Sequence, residues 1–160
     1  MEYRGTLSCA CEWAQQGKLE DWVHAYLLSD GRNKPFSDGL KMAERIYLGP
    51  ITLPLDLLHR CAGPVHEGLP YQIHPEVWER NVRKLMDAAS NGADIPPLIA
   101  HYVIPEGKQD GEFELNDGNH RWEAYARLGI EEAAVIVWFT EKEEHAQFMA
   151  RFGAYTQTSF

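Results

Sequence analysis

Five consecutive residues carry the densest chemistry in the chain: Asp117, Gly118, Asn119, His120 and Arg121. They follow the alternating segment Glu112-Phe113-Glu114-Leu115-Asn116, which reads as a strand, and lead into a helix that runs from about Asn119 to Leu128 and stops at Gly129. Where a strand turns into a helix through a glycine, the unbonded N–H groups of the first helical turn face whatever sits above it, together with the positive end of the helix dipole. That geometry makes an anion site, and phosphate is the anion it suits. Gly118 lets a ligand approach the main chain, Arg121 supplies a planar fork of donors, and His120 adds a donor that titrates near neutrality. The same residues also fit a plainer description, an ordinary polar turn with a helix cap in which His120 and Arg121 are solvated or pair with neighbouring carboxylates. Composition leaves the two readings level.

The elements that must position this turn can be read along the chain. Ser8 is placed to cap a short helix that runs toward Gly17, and Leu19, Trp22, Val23, Tyr26 and Leu27 then recur at helical spacing. Residues 30–38 collect turn formers and charges and read as an exposed loop. The run from Ile46 to Leu58 is β-rich but interrupted by Pro50 and Pro54, as in an edge or bulged strand, with Asp56 opening a short turn of helix. Pro75, Glu76, Glu79 and the stripe Trp78, Val82, Leu85, Met86, Ala89 define an amphipathic helix that ends at Asn91-Gly92. Pro96-Pro97 launches a strand over residues 98–104, which forms a hairpin with 112–116, and Ala133 to Phe139 reads as a buried strand. Thr140 and Glu143 form a capping-box pattern for a last helix with His145, Phe148, Met149 and Phe152 inward and Gly153 as its stop. The expected organisation is a helical extension over 1–45 packed on the core, one α/β (α+β) domain over 46–153, a small mixed sheet flanked by helices, and a loose tail over 154–160. Trp22, Trp78, Trp122 and Trp138 fall on apolar faces and are expected in the core.

Composition narrows the partners. The 160 residues, 44% hydrophobic, suffice for one domain with its own core, and 24 acidic against 15 basic side chains give a net charge of −9. That sign opposes holding nucleic acid by its phosphates. No apolar run approaches the ~20 residues of a membrane span, and the first residues carry no basic stretch followed by an apolar core, so the expectation is a cytoplasmic chain with no membrane partner. Cys9, Cys11 and Cys61 form an odd set without zinc-finger spacing and are expected as free thiols.

The segment Gly118-Asn119-His120-Arg121-Trp122-Glu123-Ala124 resembles the nucleotide-phosphate motif of the ParB/sulfiredoxin superfamily. ParB proteins carry Gly-Glu-Arg-Arg-Tyr-Arg-Ala here, so Gly118, Arg121 and Ala124 match, Trp122 keeps the aromatic, and Asn119, His120 and Glu123 depart. Sulfiredoxins carry Phe-Gly-Gly-Cys-His-Arg, so Gly118, His120 and Arg121 match while Asn119 replaces the reactive cysteine. Sulfinic-acid reduction loses its nucleophile with that replacement. The Asp-Gly-x-His-Arg form also resembles the ParB-like small-molecule kinases. The likeness spans about Pro50 to Phe139 in element order and does not cover 1–45. No helix-turn-helix follows Phe139, so centromere binding does not come with it.

The resemblance implies a fold of that type and a nucleotide partner, ATP or CTP with Mg²⁺, with phosphoryl transfer or NTP hydrolysis as the associated chemistry and an acceptor, small molecule or protein, left unnamed. It casts Arg121 as the main phosphate ligand, His120 as a second donor or proton shuttle, and the amides of Gly118 and Asn119 as the cradle. Asp117 is either a magnesium ligand or, more simply, a helix cap. Glu67 is the candidate base and Arg60 an extra phosphate contact. Two alternatives stand beside this reading: a non-catalytic regulatory or protein-interaction module, and a ParB-like nuclease or nucleic-acid binder.

Overall fold

The structure, a computed structural model, describes residues 1–157. Three helices come first, α1 (Leu7–Gln15), α2 (Leu19–Leu27) and α3 (Lys34–Leu40), followed by the strands β1 (Ile46–Pro54), β2 (Leu58–Arg60), β3 (Ala62–Pro64) and β4 (Tyr71–Ile73). Then come α4 (Pro75–Ser90), β5 (Leu98–Val103), β6 (Glu112–Asp117), α5 (Asn119–Arg127), β7 (Glu132–Phe139) and α6 (Lys142–Phe152). A five-stranded mixed sheet has the order β1-β7-β5-β6-β2, and β3 pairs with β4 in a separate parallel ribbon. β5 lies parallel to β7 and antiparallel to β6, so the hairpin expected from the sequence is present.

The sheet is covered on both faces, which is why its central strands read as nearly unbroken apolar runs. Along β5 and β7, Leu98, Ala100, Tyr102, Val135, Val137 and Phe139 enter one core with Phe113, Leu115 and Phe148. Tyr102 sits there among Phe113, Phe139 and Phe148 at centroid distances of 5.0, 6.0 and 5.8 Å. Ile99, Ile136 and Trp138 alternate to the other face, where Trp22, Val23, Leu27, Cys9 and Leu40 of the first three helices cover them. Residues 1–45 therefore form a layer of the molecule. A third, smaller cluster of Trp78, Val82 and Ala124 joins α4 to α5.

Several sequence expectations shift. Thr6 caps α1 by accepting from the Cys9 amide, while Ser8 lies inside the helix. The segment expected as a loop over 30–38 contains α3, because Asn33 accepts from the Phe36 amide as a cap and Pro35 suits the first turn. β1 is one strand: it borders the sheet, and Gly49 and Pro50 form a bulge where the pairing passes from Leu48↔Val137 to Ile51↔Val135. The capping box of α6 sits one residue later than expected, on Glu141 and Glu144, and Met149 is exposed while Phe148 is buried. Of the segment expected as a loose tail over 154–160, residues 154–157 belong to a 3-10 turn, Gly153–Gln157, with Tyr155 packed on the core, and 158–160 lie outside the described residues.

Candidate functional site

The pairing of β6 with β5 decides where the turn points. Asp117 pairs with Ile99 and Leu115 with Ala100, so Asn116 is an extra residue in a bulge. Without it Asp117 would alternate to the Leu115 face; with it, Asp117 is aimed toward the N-terminal helical layer, on the same side as Ile99. Asn116 also faces that layer, accepting from Trp138 Nε1 at 2.9 Å. Gly118 follows at φ +102, and a Cβ there would strike Leu98 Cδ2 and stand 2.9 Å from Arg121 Nη2, so only glycine fits. No side chain caps α5, and the expected cap, Asp117, is engaged elsewhere.

Asp117 is paired with Arg121. Its Oδ2 accepts from Arg121 Nη2 at 2.5 Å, while Arg121 Nη1 donates to the carbonyl oxygens of Pro96 at 2.8 Å and Pro97 at 3.2 Å. Arg121 is only 5% exposed, and its guanidinium carbon lies 5.6 Å from the ring centroid of Tyr26. The expectation that Arg121 presents an open fork to an anion is therefore corrected. Three of its N–H groups already bind the protein, and its role is to fix the turn, the Pro96-Pro97 segment and α2 together. Asn119 is corrected likewise: its Oδ1 accepts from the amides of Cys61 at 3.0 Å and Ala62 at 3.2 Å, and its Nδ2 donates to Leu115 O. That side chain ties the β2–β3 segment to α5, leaving only its backbone for a ligand.

His120 lies 4.5 Å from Trp78, centroid to centroid, and its Nε2 is buried without a partner among the described residues. Burial pushes its pKa below the usual histidine value, aided by the Arg121 and Arg60 guanidinium charges and opposed by Asp117.

Arg60 lies close enough to His120 for its charge to act on that ring, while Glu67 lines a separate cavity. The Arg60 guanidinium is sandwiched between Trp78 at 5.1 Å and Trp122 at 5.3 Å and is ion-paired to Glu67 and Glu123. Glu67 lines a different cavity, beside Pro64, Trp78 and Arg127. The structure does not bring this candidate base together with Gly118 and Arg121, and Arg60 has its charge neutralised twice over.

What the structure does assemble is a cleft of about 590 Å³ above the turn. Asp117, Gly118, His120 and Arg121 form its floor, Asn81 and Lys84 of α4 one wall, and Tyr26, Asp30, Gly31 and Arg32 the other. Neither Lys84 nor Arg32 has an ion-pair partner among the described residues, whereas Asp117 is neutralised by Arg121. Arg32 adopts φ +47, a conformation uncommon outside glycine, at the point where α2 gives way to α3. Sequence reasoning missed Lys84 and Arg32. Asn81 and Lys84 stand three apart on one face of α4, a signal present in the sequence, but nothing local relates that face or Arg32 to residue 118.

Neither a protein-family model nor a curated protein sequence matches the chain. Among solved structures it is similar to sulfiredoxin from Arabidopsis thaliana, with 20% identity over 68% of this chain and 99% of that one and a TM-score of 0.38. It is also similar to the C-terminally truncated chromosome-partitioning protein ParB from Caulobacter crescentus complexed with CTP-γ-S, with 15% identity over 74% of this chain and 56% of that one and a TM-score of 0.39. A third is a free serine kinase in complex with AMP, 18% identical over 56% of this chain and 32% of that one, TM-score 0.37. The chain thus spans about a third of the kinase and just over half of the ParB fragment. Among the described residues no helix is long and apolar enough to cross a membrane.

Proposed function

We propose that the chain binds the phosphate groups of a nucleotide in the cleft at the head of α5. The observation that carries this reading is the pair of unpartnered cations, Arg32 and Lys84, lining the same cleft as the uncapped first turn of α5. In a protein of net charge −9, two unpaired cations beside a helix N-terminus create a local field opposite to the global one. The backbone N–H groups of the first turn supply directed donors, and Lys84 and Arg32 supply charge. Arg121 acts here as the group that holds the turn in place.

Magnesium does not fit Asp117. Its carboxylate is bound to the Arg121 guanidinium. The reading is therefore one of binding with protein cations, and no step is routed through a metal.

Calorimetric titration with ATP, CTP and inorganic tripolyphosphate, at low ionic strength and with EDTA present, tests it. Binding is expected with all three, weakening as salt is raised, with Lys84→Glu and Arg32→Glu each lowering affinity about tenfold, which corresponds to about 1.4 kcal/mol. Absence of heat with every ligand at millimolar concentration, with the protein folded, ends the reading.

A further inference from the structure

Two grooves adjoin near the C-terminal end of α5. The larger, of about 510 Å³, runs between Pro54 and Leu55 at the end of β1 and Trp122 and Ala126 of α5. The smaller, of about 270 Å³, is walled by Leu7 of α1, Ala89 of α4, Tyr125 of α5 and Ala133 of β7. Ile130 and Glu132 line both, so the two form one trough, and Ile130, 38% exposed, stands at the joint. Its walls are fixed in place. Trp122 Nε1 donates to Leu55 O at 2.9 Å, the Leu55 amide donates to Glu131 O at 2.8 Å, and Pro54 pairs with Glu132 between β1 and β7. A trough already formed costs its occupant little ordering.

The charged side chains along the trough are of one sign. Asp56 and Glu131 line the larger groove, Glu132 the joint and Asp94 the smaller groove, and among the described residues no lysine, arginine or histidine lines either. All four carboxylates are exposed, and none has an ion-pair partner among the described residues. Asp94 accepts from the Ser8 amide, which leaves its charge unbalanced. The cations nearest to hand are spent: Arg60, over the Trp122 ring at 5.3 Å, is paired with Glu67 and Glu123, and Arg127 with Glu79 and Glu123. The negative pole of α5 adds to this field beside Ala126. Such a field repels nucleic acid and acidic lipid. A small amine can meet the carboxylates at one place only, and it leaves the apolar walls uncovered. A chain that carries cations at intervals, with apolar side chains between them, meets both features along the whole trough.

We propose that this trough docks a segment of a partner protein in which apolar residues alternate with lysine or arginine. The apolar side chains enter beside Leu55, Trp122, Ile130 and Ala133, and the cationic heads reach the rim carboxylates, Asp56, Glu131, Glu132 and Asp94. The trough shares only Pro96 with the phosphate cleft and has the opposite charge, so the docking does not rest on the phosphate reading and needs no nucleotide.

The test titrates the full chain, without nucleotide, with a short peptide of alternating leucine and arginine and with two relatives of it, one with glutamate for arginine and one with serine for leucine. Nuclear magnetic resonance of the labelled protein reads both affinity and place, through the Trp122 indole and Ile130 methyl signals. The leucine–arginine peptide is expected to saturate those signals and to bind at least about tenfold tighter than either relative. The double variant Glu131→Lys, Glu132→Lys is expected to weaken it at least about tenfold, and Glu106→Lys, Asp110→Lys, which changes the net charge equally at exposed positions elsewhere, by less than about twofold. Equal weakening in both double variants overturns the site, since net charge alone then accounts for the binding. Either relative binding as tightly as the leucine–arginine peptide overturns the stated partner chemistry. Absence of saturation at millimolar peptide, with the protein folded, overturns the proposal. Self-association of the chain in sedimentation, abolished by Ile130→Asp, overturns the choice of partner, because the occupant is then a second copy.

Discussion

Replacing Arg121 with alanine strips three bonds from a nearly enclosed position: the 2.5 Å contact to Asp117 and the two to the carbonyls of Pro96 and Pro97. The Asp117 side chain, 12% exposed, would be left as a buried charge without its partner. Removing one member of such a pair costs about 3–5 kcal/mol. For a chain of this length each kcal/mol moves the midpoint of thermal unfolding by about 2–4 °C, so the variant should melt roughly 6–20 °C lower. Urea unfolding followed by tryptophan fluorescence measures the loss directly, with the slope unchanged if the native and unfolded states keep their exposure. Arg121→Lys should recover only part of it, because an ammonium cannot reach the carboxylate and both carbonyls as the planar fork does. The double variant Asp117→Asn, Arg121→Met should be less damaging than Arg121→Ala, since no charge is stranded. Lys84→Ala serves as the contrast, lowering phosphate affinity with a stability change within about 0.5 kcal/mol. The reasoning fails if Arg121→Ala unfolds within about 1 kcal/mol of the wild type while losing phosphate binding, for then the guanidinium is a ligand and not a brace.

Three further outcomes follow from the same contacts. Gly118→Ala should destabilise by at least about 1–3 kcal/mol in urea unfolding, since alanine at φ +102 is strained and its Cβ would meet Leu98 and Arg121; a neutral result would refute the described turn. Asn119→Ala should cost about 2 kcal/mol by stranding the amides of Cys61 and Ala62, with hydrogen exchange at those two amides accelerating, and unchanged exchange would show that the tie is not made. His101, stacked on Trp138 at 3.8 Å, has its pKa held down at about 4 by burial, with Arg45 adding to the effect and Glu144 opposing it. The unfolded chain, with a histidine near its ordinary value of about 6.5, binds more protons in that interval, so His101 makes stability fall as pH drops from about 6.5 to about 4. His101→Phe should flatten that part of the pH profile of the urea midpoint, and a profile as steep as the wild type would refute the assignment.

The alternation of apolar residues sufficed to find α2, α4, β5, β6, α5 and β7, because each carries its own signal: a helical stripe such as Trp78 and Val82, or a run buried on both faces such as Val135 to Phe139. Elements whose stability comes from elsewhere were harder to read. α3 looks like a loop because its Asn33 cap and Pro35 are also turn formers, and what favours the helix is Leu40 buried against the sheet and Phe36 packed on Trp138.

The sequence by itself determined that a strand, a glycine and a helix meet at residue 118, and hence that an α5 N-terminus with backbone donors exists there; those are local properties of spacing and φ. It could not determine which charges are spent and which are free. Arg121 is bound because the bulge at Asn116 turns Asp117 toward it and the Pro96-Pro97 carbonyls lie beside it, and Lys84 and Arg32 are left unpaired because packing brings two distant segments to one cleft whose carboxylates are engaged elsewhere, Asp117 with Arg121 and Asp30 with the Tyr3 hydroxyl. Electrostatic roles depend on distance and burial, and those are set by the tertiary fold.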